Sequence, residues 1–139
     1  MKRKIKSEYS ISNSQSSMVN EGSFDLKDRL IDYAVRVIRL TEALPNTKAG
    51  NHVAGQILRS GTSPAPNYGE AVAAESQADF IHKLKVALKE LRETEIWLKI
   101  IAKAHLVSAP KKLVPLLHET DELSAILFTS IQTAKQRKA

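Results

Sequence analysis

Arg59, Ser63, Asn67 and Glu70 are spaced four, four and three residues apart, so on a helix they share one face. A guanidinium, a hydroxyl, an amide and a carboxylate in one row could bind phosphate, support acid–base chemistry or pair with a neighbouring helix. All four lie within Arg59–Ala71, RSGTSPAPNYGEA. A phosphate cradle would need GxxxxGK[ST] or GxGxxG after a strand, and neither is present. A nucleophile elbow would need GxSxG. Gly61-Thr62-Ser63-Pro64-Ala65 fails at its last position, and the proline after the serine removes an oxyanion-hole donor.

Other candidates are equally bare of catalytic pattern. Glu90, Glu93 and Glu95 alternate with Lys89, Arg92 and Lys99, which favours ion pairing between helices or subunits over an acid–base cluster. No two of His52, His82, His105 and His118 stand at i,i+3 or i,i+4. His118–Glu122 has a metal-like spacing, but two ligands do not make a site. We expect no catalytic residue, no metal, no cofactor and no small-molecule substrate. The absence of cysteine excludes a disulfide scaffold and thiolate chemistry, and it suits a cytoplasmic protein. No apolar run approaches the ~18 residues that cross a bilayer. No apolar segment follows the basic N-terminus, so neither a membrane span nor a secretory signal is expected.

The elements that would carry these residues are helical. Residues 1–22 are basic, rich in Ser and Asn and without periodicity, and read as a disordered tail; residues 23–139 read as one domain. Ser23 is a candidate N-cap. Leu26, Leu30, Tyr33, Val37, Leu40 and Leu44 then recur at spacings of four and three, with Ile31, Ala34 and Ile38 widening the apolar face. Pro45 ends that helix. A second starts near His52 and enters RSGTSPAPNYGEA. A third follows Ser76, with a core stripe through Phe80, Leu84, Ala87, Leu91, Leu98 and Ile101. Ile81, Leu88, Ile96, Trp97 and Ile100 make it apolar on a second side, as a helix facing a partner subunit would be. Ser108 and Pro110 read as cap and early-turn proline of a fourth helix, whose core face runs from Leu113 to Ile131. The expected fold is all-α, an up-down-up-down antiparallel four-helix bundle with helices near 24–44, 51–74, 77–105 and 109–136.

RSGTSPAPNYGEA can be a loop, since Pro and Gly punctuate chains, or a kinked continuation of the second helix. Small residues recur through it and just before it (Gly55, Ser60, Gly61, Ala65, Gly69, Ala71), which favours the helix and a close helix neighbour. The alternative is that the Arg59–Glu70 row faces water, but we expect it to turn inward: antiparallel pairing brings Arg59 level with the third helix near Glu93, so that it pairs with Glu93 or Glu90, and Arg59, Ser63, Asn67, Glu70, Glu90 and Glu93 form a buried or interfacial polar set.

RSGTSPAPNYGEA followed by ALKELRETEIWL resembles the four-helix-bundle family of 23S ribosomal RNA intervening-sequence proteins, over Phe24 to Ile131. The family's second-helix arginine, serine, asparagine and glutamate match Arg59, Ser63, Asn67 and Glu70. Its third-helix alanine and glutamates match Ala87, Glu93 and Glu95. Pro64 stands where an aliphatic residue is usual, and Tyr68-Gly69 replaces an aliphatic–alanine pair. The resemblance implies a homopentameric ring and a nucleic-acid-related role, relatives being accessory proteins of retroelement reverse transcriptases.

Net charge is +6, of which the Phe24–Ala134 segment carries only +1. Basic character therefore gathers at the ends. One end of an up-down bundle would hold Lys135, Arg137 and Lys138 with the N-terminal lysines. The other would hold Lys48, Lys99, Lys103, Lys111 and Lys112. Repeated round a ring, either cluster could contact RNA or DNA phosphates. The lysines could instead only solubilise helix ends, which leaves a protein-assembly or adaptor module with no nucleic-acid contact. Aromatics are sparse, and Tyr68 and Trp97 read as core or interface, so base stacking is not expected.

Overall fold

A computed structural model describes residues 23–137; the tail expected over 1–22, and Lys138, lie outside them. The elements are α1 (Ser23–Ala43), α2 (Lys48–Thr62), α3 (Pro64–Val72), α4 (Gln77–Lys103), a 3-10 turn (Pro110–Leu113) and α5 (Val114–Gln136). The described residues contain no strand, and α2 with α3 forms the second rod of an all-α four-helix bundle.

Cross-helix pairs run in opposite sequence order, as antiparallel neighbours must. Arg29 meets Glu119 and Glu122 while Arg36 and Ala43 share a pocket with Ser108 and Leu116. Arg59 meets Glu90 and Glu93 while Glu70 meets Lys83. Gln77, which opens α4, donates its amide to the Ala134 carbonyl near the close of α5.

The core follows the apolar stripes. Leu30, Tyr33 and Val37 of α1, Ile57 of α2, Leu84, Leu91, Leu98 and Ile101 of α4, and Leu123 and Leu127 of α5 are essentially inaccessible. Leu40 and Leu44 pack against this core from its margin. Ile38, expected on the core face of α1, is 40% exposed, and Ile96 of α4 is 56% exposed. Ile38 follows Val37 and lies about 100° further round the helix, where the neighbouring rods no longer cover it, and Ile96 lies on the second apolar side of α4, off its core stripe.

Helix boundaries depart from expectation at three points, each for a local reason. The second rod starts at Lys48, not residue 51, because Thr47 is the cap: its hydroxyl accepts from Gly50 N at 3.0 Å. Gly50 also packs on the preceding turn, where an added Cβ would lie 2.1 Å from the Pro45 carbonyl oxygen. That rod is then divided at Ser63. Ser63 keeps helical dihedrals (φ −75°, ψ −34°), but Pro64 and Pro66 cannot donate the bonds that would continue α2 into α3. The helix resumes when Asn67 N donates to Ser63 O at 3.2 Å. Finally, Ser108 does not cap the last rod. Ala109 precedes the 3-10 turn without a side-chain cap, and α5 proper begins at Val114, with Pro115 in its first turn where the missing N–H costs little. Ser76 does cap α4, accepting from Asp79 N at 3.1 Å.

The opposite end of α4 closes in a Schellman arrangement. His105 takes the left-handed conformation (φ 55°), Leu106 N donates to Ile101 O and His105 N to Ala102 O.

Candidate functional site

The polar row divides when the second rod is laid along α4. Arg59 Nη1 donates to Glu90 Oε1 at 3.1 Å, and its Nη2 donates to Glu93 Oε2. Trp97 Nε1 donates to the same Glu93 oxygen at 3.1 Å, and the Trp97 ring meets His52 edge to face, with centroids 6.1 Å apart. Glu90 is buried, Glu93 half-buried and Arg59 exposed. Ser63 and Asn67 are half-buried and bonded to each other, Asn67 Nδ2 donating to Ser63 Oγ at 2.9 Å and to Ser63 O at 3.0 Å. Glu70 is exposed and pairs instead with Lys83 at 2.8 Å, a contact that raises the Lys83 ammonium above its usual range.

In the single chain, therefore, Arg59 and Glu70 are exposed and not buried as the expected inward-facing row implies. Their face lies beside α4 and not beneath it, so long side chains reach over its rim to their partners with one side left in water. The groups that do enter the α2/α4 interface are smaller. Ser60 and Thr94 are fully buried with their hydroxyls 2.8 Å apart, and Thr94 Oγ1 also lies 2.8 Å from the Glu90 carbonyl, to which it donates.

Of the small residues, Ser60, Gly61 and Ala71 are buried, whereas added Cβ atoms at Gly55 and Gly69 would meet nothing within 4 Å. Those two glycines, with exposed Leu58, Ile96 and Ile100, leave close-approach and apolar surface free on the single chain.

The expected basic residues occupy two ends. Lys48 opens α2, Lys103 closes α4, and Lys111 and Lys112 sit in the 3-10 turn, all exposed. Lys99 lies one turn further in and pairs with Glu95 at 3.2 Å. Lys112 also borders a pocket of about 400 Å3 with Arg36, Arg39 and Ser108, whose floor includes Leu40 and Leu113. Arg36 and Arg39 of α1 join this end, which the sequence assigns only to Lys48, Lys99, Lys103, Lys111 and Lys112. Lys135 and Arg137 are exposed at the far end of α5. Lys48, Lys103, Lys111, Lys112, Lys135 and Arg137 form no ion pair among the described residues.

No group of three or more metal-binding side chains occurs among the described residues, and no helix there is long and apolar enough to cross a membrane.

A family model described as "23S rRNA-intervening sequence protein" matches residues 23–129. A solved structure from Bacteroides thetaiotaomicron, described as a protein with unknown function from the S23 ribosomal protein family, is 35% identical. It superposes with a TM-score of 0.73 and covers 79% of this chain and 97% of its own. No curated protein matches the chain.

Proposed function

The chain belongs to the 23S rRNA-intervening sequence protein family, and from that premise we propose that it is a non-enzymatic, homo-oligomeric bundle that binds RNA or DNA through phosphates. One observation carries this reading: the cations that gather at the bundle ends are exposed and have no carboxylate partner among the described residues. Exposed lysine and arginine without local countercharge are free to displace the counterions of a phosphate backbone, which is the sequence-independent part of nucleic-acid affinity. The apolar positions left open on α2 and α4, and the two unfilled glycines, support self-association, with a pentameric ring the proposed form.

An assembly or adaptor module without nucleic-acid contact is the second reading, and the same open apolar surface favours it. Retention of an unrelated RNA across a salt series separates the two. The first expects binding at low salt that weakens linearly on a log–log plot; no mobility shift at low salt leaves only the assembly module. Light scattering coupled to size exclusion tests the ring, and a monomer at micromolar concentration overturns it.

A further inference from the structure

The outward face of α4 carries Lys85, Lys89, Arg92, Lys99 and Lys103, all exposed, at spacings that keep them in one row, with Ile96 in the gap. Between this row and α5 runs an open groove of about 350 Å3. Lys85, Lys89 and Arg92 line one wall and Lys135 the other, and no carboxylate lines it. Lys85, Lys89, Arg92 and Lys135 enter no ion pair among the described residues. Phe128 stands within the groove above Ile131 and is 48% exposed.

This combination restricts the occupant. An apolar partner laid over the groove would strip water from four cations and return no charge, which is costly. The occupant must bring repeated negative charge together with a flat apolar surface for the ring. A nucleic-acid duplex brings the charge but keeps its base faces inside its own stack. A single strand offers both, phosphates for the walls and an unstacked base for the phenyl ring. We propose that the α4/α5 groove takes single-stranded nucleic acid, with phosphates on Lys85, Lys89, Arg92 and Lys135 and a base stacked on Phe128. The proposal rests on the nucleic-acid reading above and gives it a location and a strandedness.

Fluorescence anisotropy of the full chain tests it, using labelled oligouridylate of about 16 nucleotides and a duplex of equal length. The single strand is expected to bind more tightly than the duplex. Phe128→Ala weakens the single strand about tenfold and leaves the duplex unchanged, while Phe128→Trp retains affinity because it retains a stacking face. Replacing Lys85, Lys89 and Arg92 together by glutamine lowers the salt-dependence slope by about 2. Far-UV circular dichroism accompanies each variant, and the phenyl ring's exposure makes loss of fold on its removal unexpected.

Binding of neither nucleic acid sinks the general reading and this one together. Binding of the single strand by wild type and all variants alike sinks only the groove, leaving the basic ends. Equal competition by poly-glutamate, or a change of oligomeric state on Phe128→Ala, also overturns it, the first by removing the role of the base and the second by making the groove an interface between copies.

Discussion

Arg59 and Glu90 face each other at 3.1 Å across the α2/α4 interface, one exposed and the other buried. The carboxylate has given up most of its water, while the guanidinium keeps half of its own. Such a pair is asymmetric, and so is the effect of breaking it. Arg59→Ala leaves a buried carboxylate without its cation and is expected to cost about 1 kcal/mol, the figure being held down by solvent screening of the arginine. Glu90→Gln leaves Arg59 its contact with Glu93 and costs less. Urea midpoints of the two variants check the order; equal effects would mean that the pair contributes no more than any surface contact.

A second prediction concerns pH. Tyr33 Oη lies 2.7 Å from Thr120 Oγ1 in the core, and Thr120 already donates to the Leu116 carbonyl at 2.7 Å, so the phenol is the donor. Burial pushes the phenol up to about 12, against the smaller opposing effect of the Thr120 hydrogen bond. Above pH 10 the unfolded chain loses this proton while the folded one keeps it. The stability that this group contributes is full below pH 10 and is lost as pH rises through 12. Wild type should therefore lose about 2 kcal/mol more than Tyr33→Phe over that window. Parallel denaturation curves across pH 10 to 12 would contradict the buried-donor geometry.

Two glycines should respond to alanine with opposite signs. A Cβ at Gly61 would lie 2.7 Å from Val37 Cγ2 and 2.8 Å from Cγ1, and a β-branched neighbour cannot swing away. Gly61→Ala is expected to destabilise by about 1–2 kcal/mol even after the gain in helix propensity, and Val37→Ala in the same chain should recover part of the loss. Gly55→Ala meets open space and should stabilise the single chain by about 0.5–1 kcal/mol. Thermal midpoints decide both, and light scattering on the Gly55 variant tells whether that space is filled by a second copy.

At the end of α4, His105 holds a left-handed conformation that a side chain makes unfavourable. His105→Gly should raise stability by about 0.5 kcal/mol, the gain being reduced by loss of the Nδ1 contact to the Lys103 carbonyl and by the freer unfolded chain. A lower thermal midpoint would show that the imidazole contact outweighs the backbone strain.

Much of this architecture could be read from residue types, because periodicity reports one side of a helix directly. Leu26, Leu30, Tyr33 and Val37 recur at helical spacing and all are buried. The level of Arg59 against Glu90 and Glu93 was legible too, since a short connection between antiparallel helices sets their register. What periodicity does not report is depth. Arg59 and Glu70 share the face of Ser63 and Asn67, yet only the short side chains sink between the helices. The prolines marked an interruption in the second rod, but not its form: Ser63 keeps helical dihedrals and only two N–H groups are missing, so the rod divides without turning into a loop. The basic row on α4 was obscured by its own regularity. Cations alternating with glutamates read as ion pairs, and of Lys89, Arg92 and Lys99 only Lys99 has a glutamate partner among the described residues. Phe128 lies outside the core stripe of α5, and nothing in its spacing marks it as an exposed ring beside cations.

Arg29 and Tyr33 draw their partners from residues 87 to 93 positions later in the chain. During synthesis the first helix therefore leaves the ribosome long before Glu119, Thr120 and Glu122 exist to receive it. Its hairpin with α2 can form early from nearby contacts, but this clasp cannot, and closing so long a loop comes late in any folding order. Until then the nascent chain presents an open apolar seam, and a stall or truncation before Thr120 would leave a product that chaperones and proteases can distinguish from the finished protein.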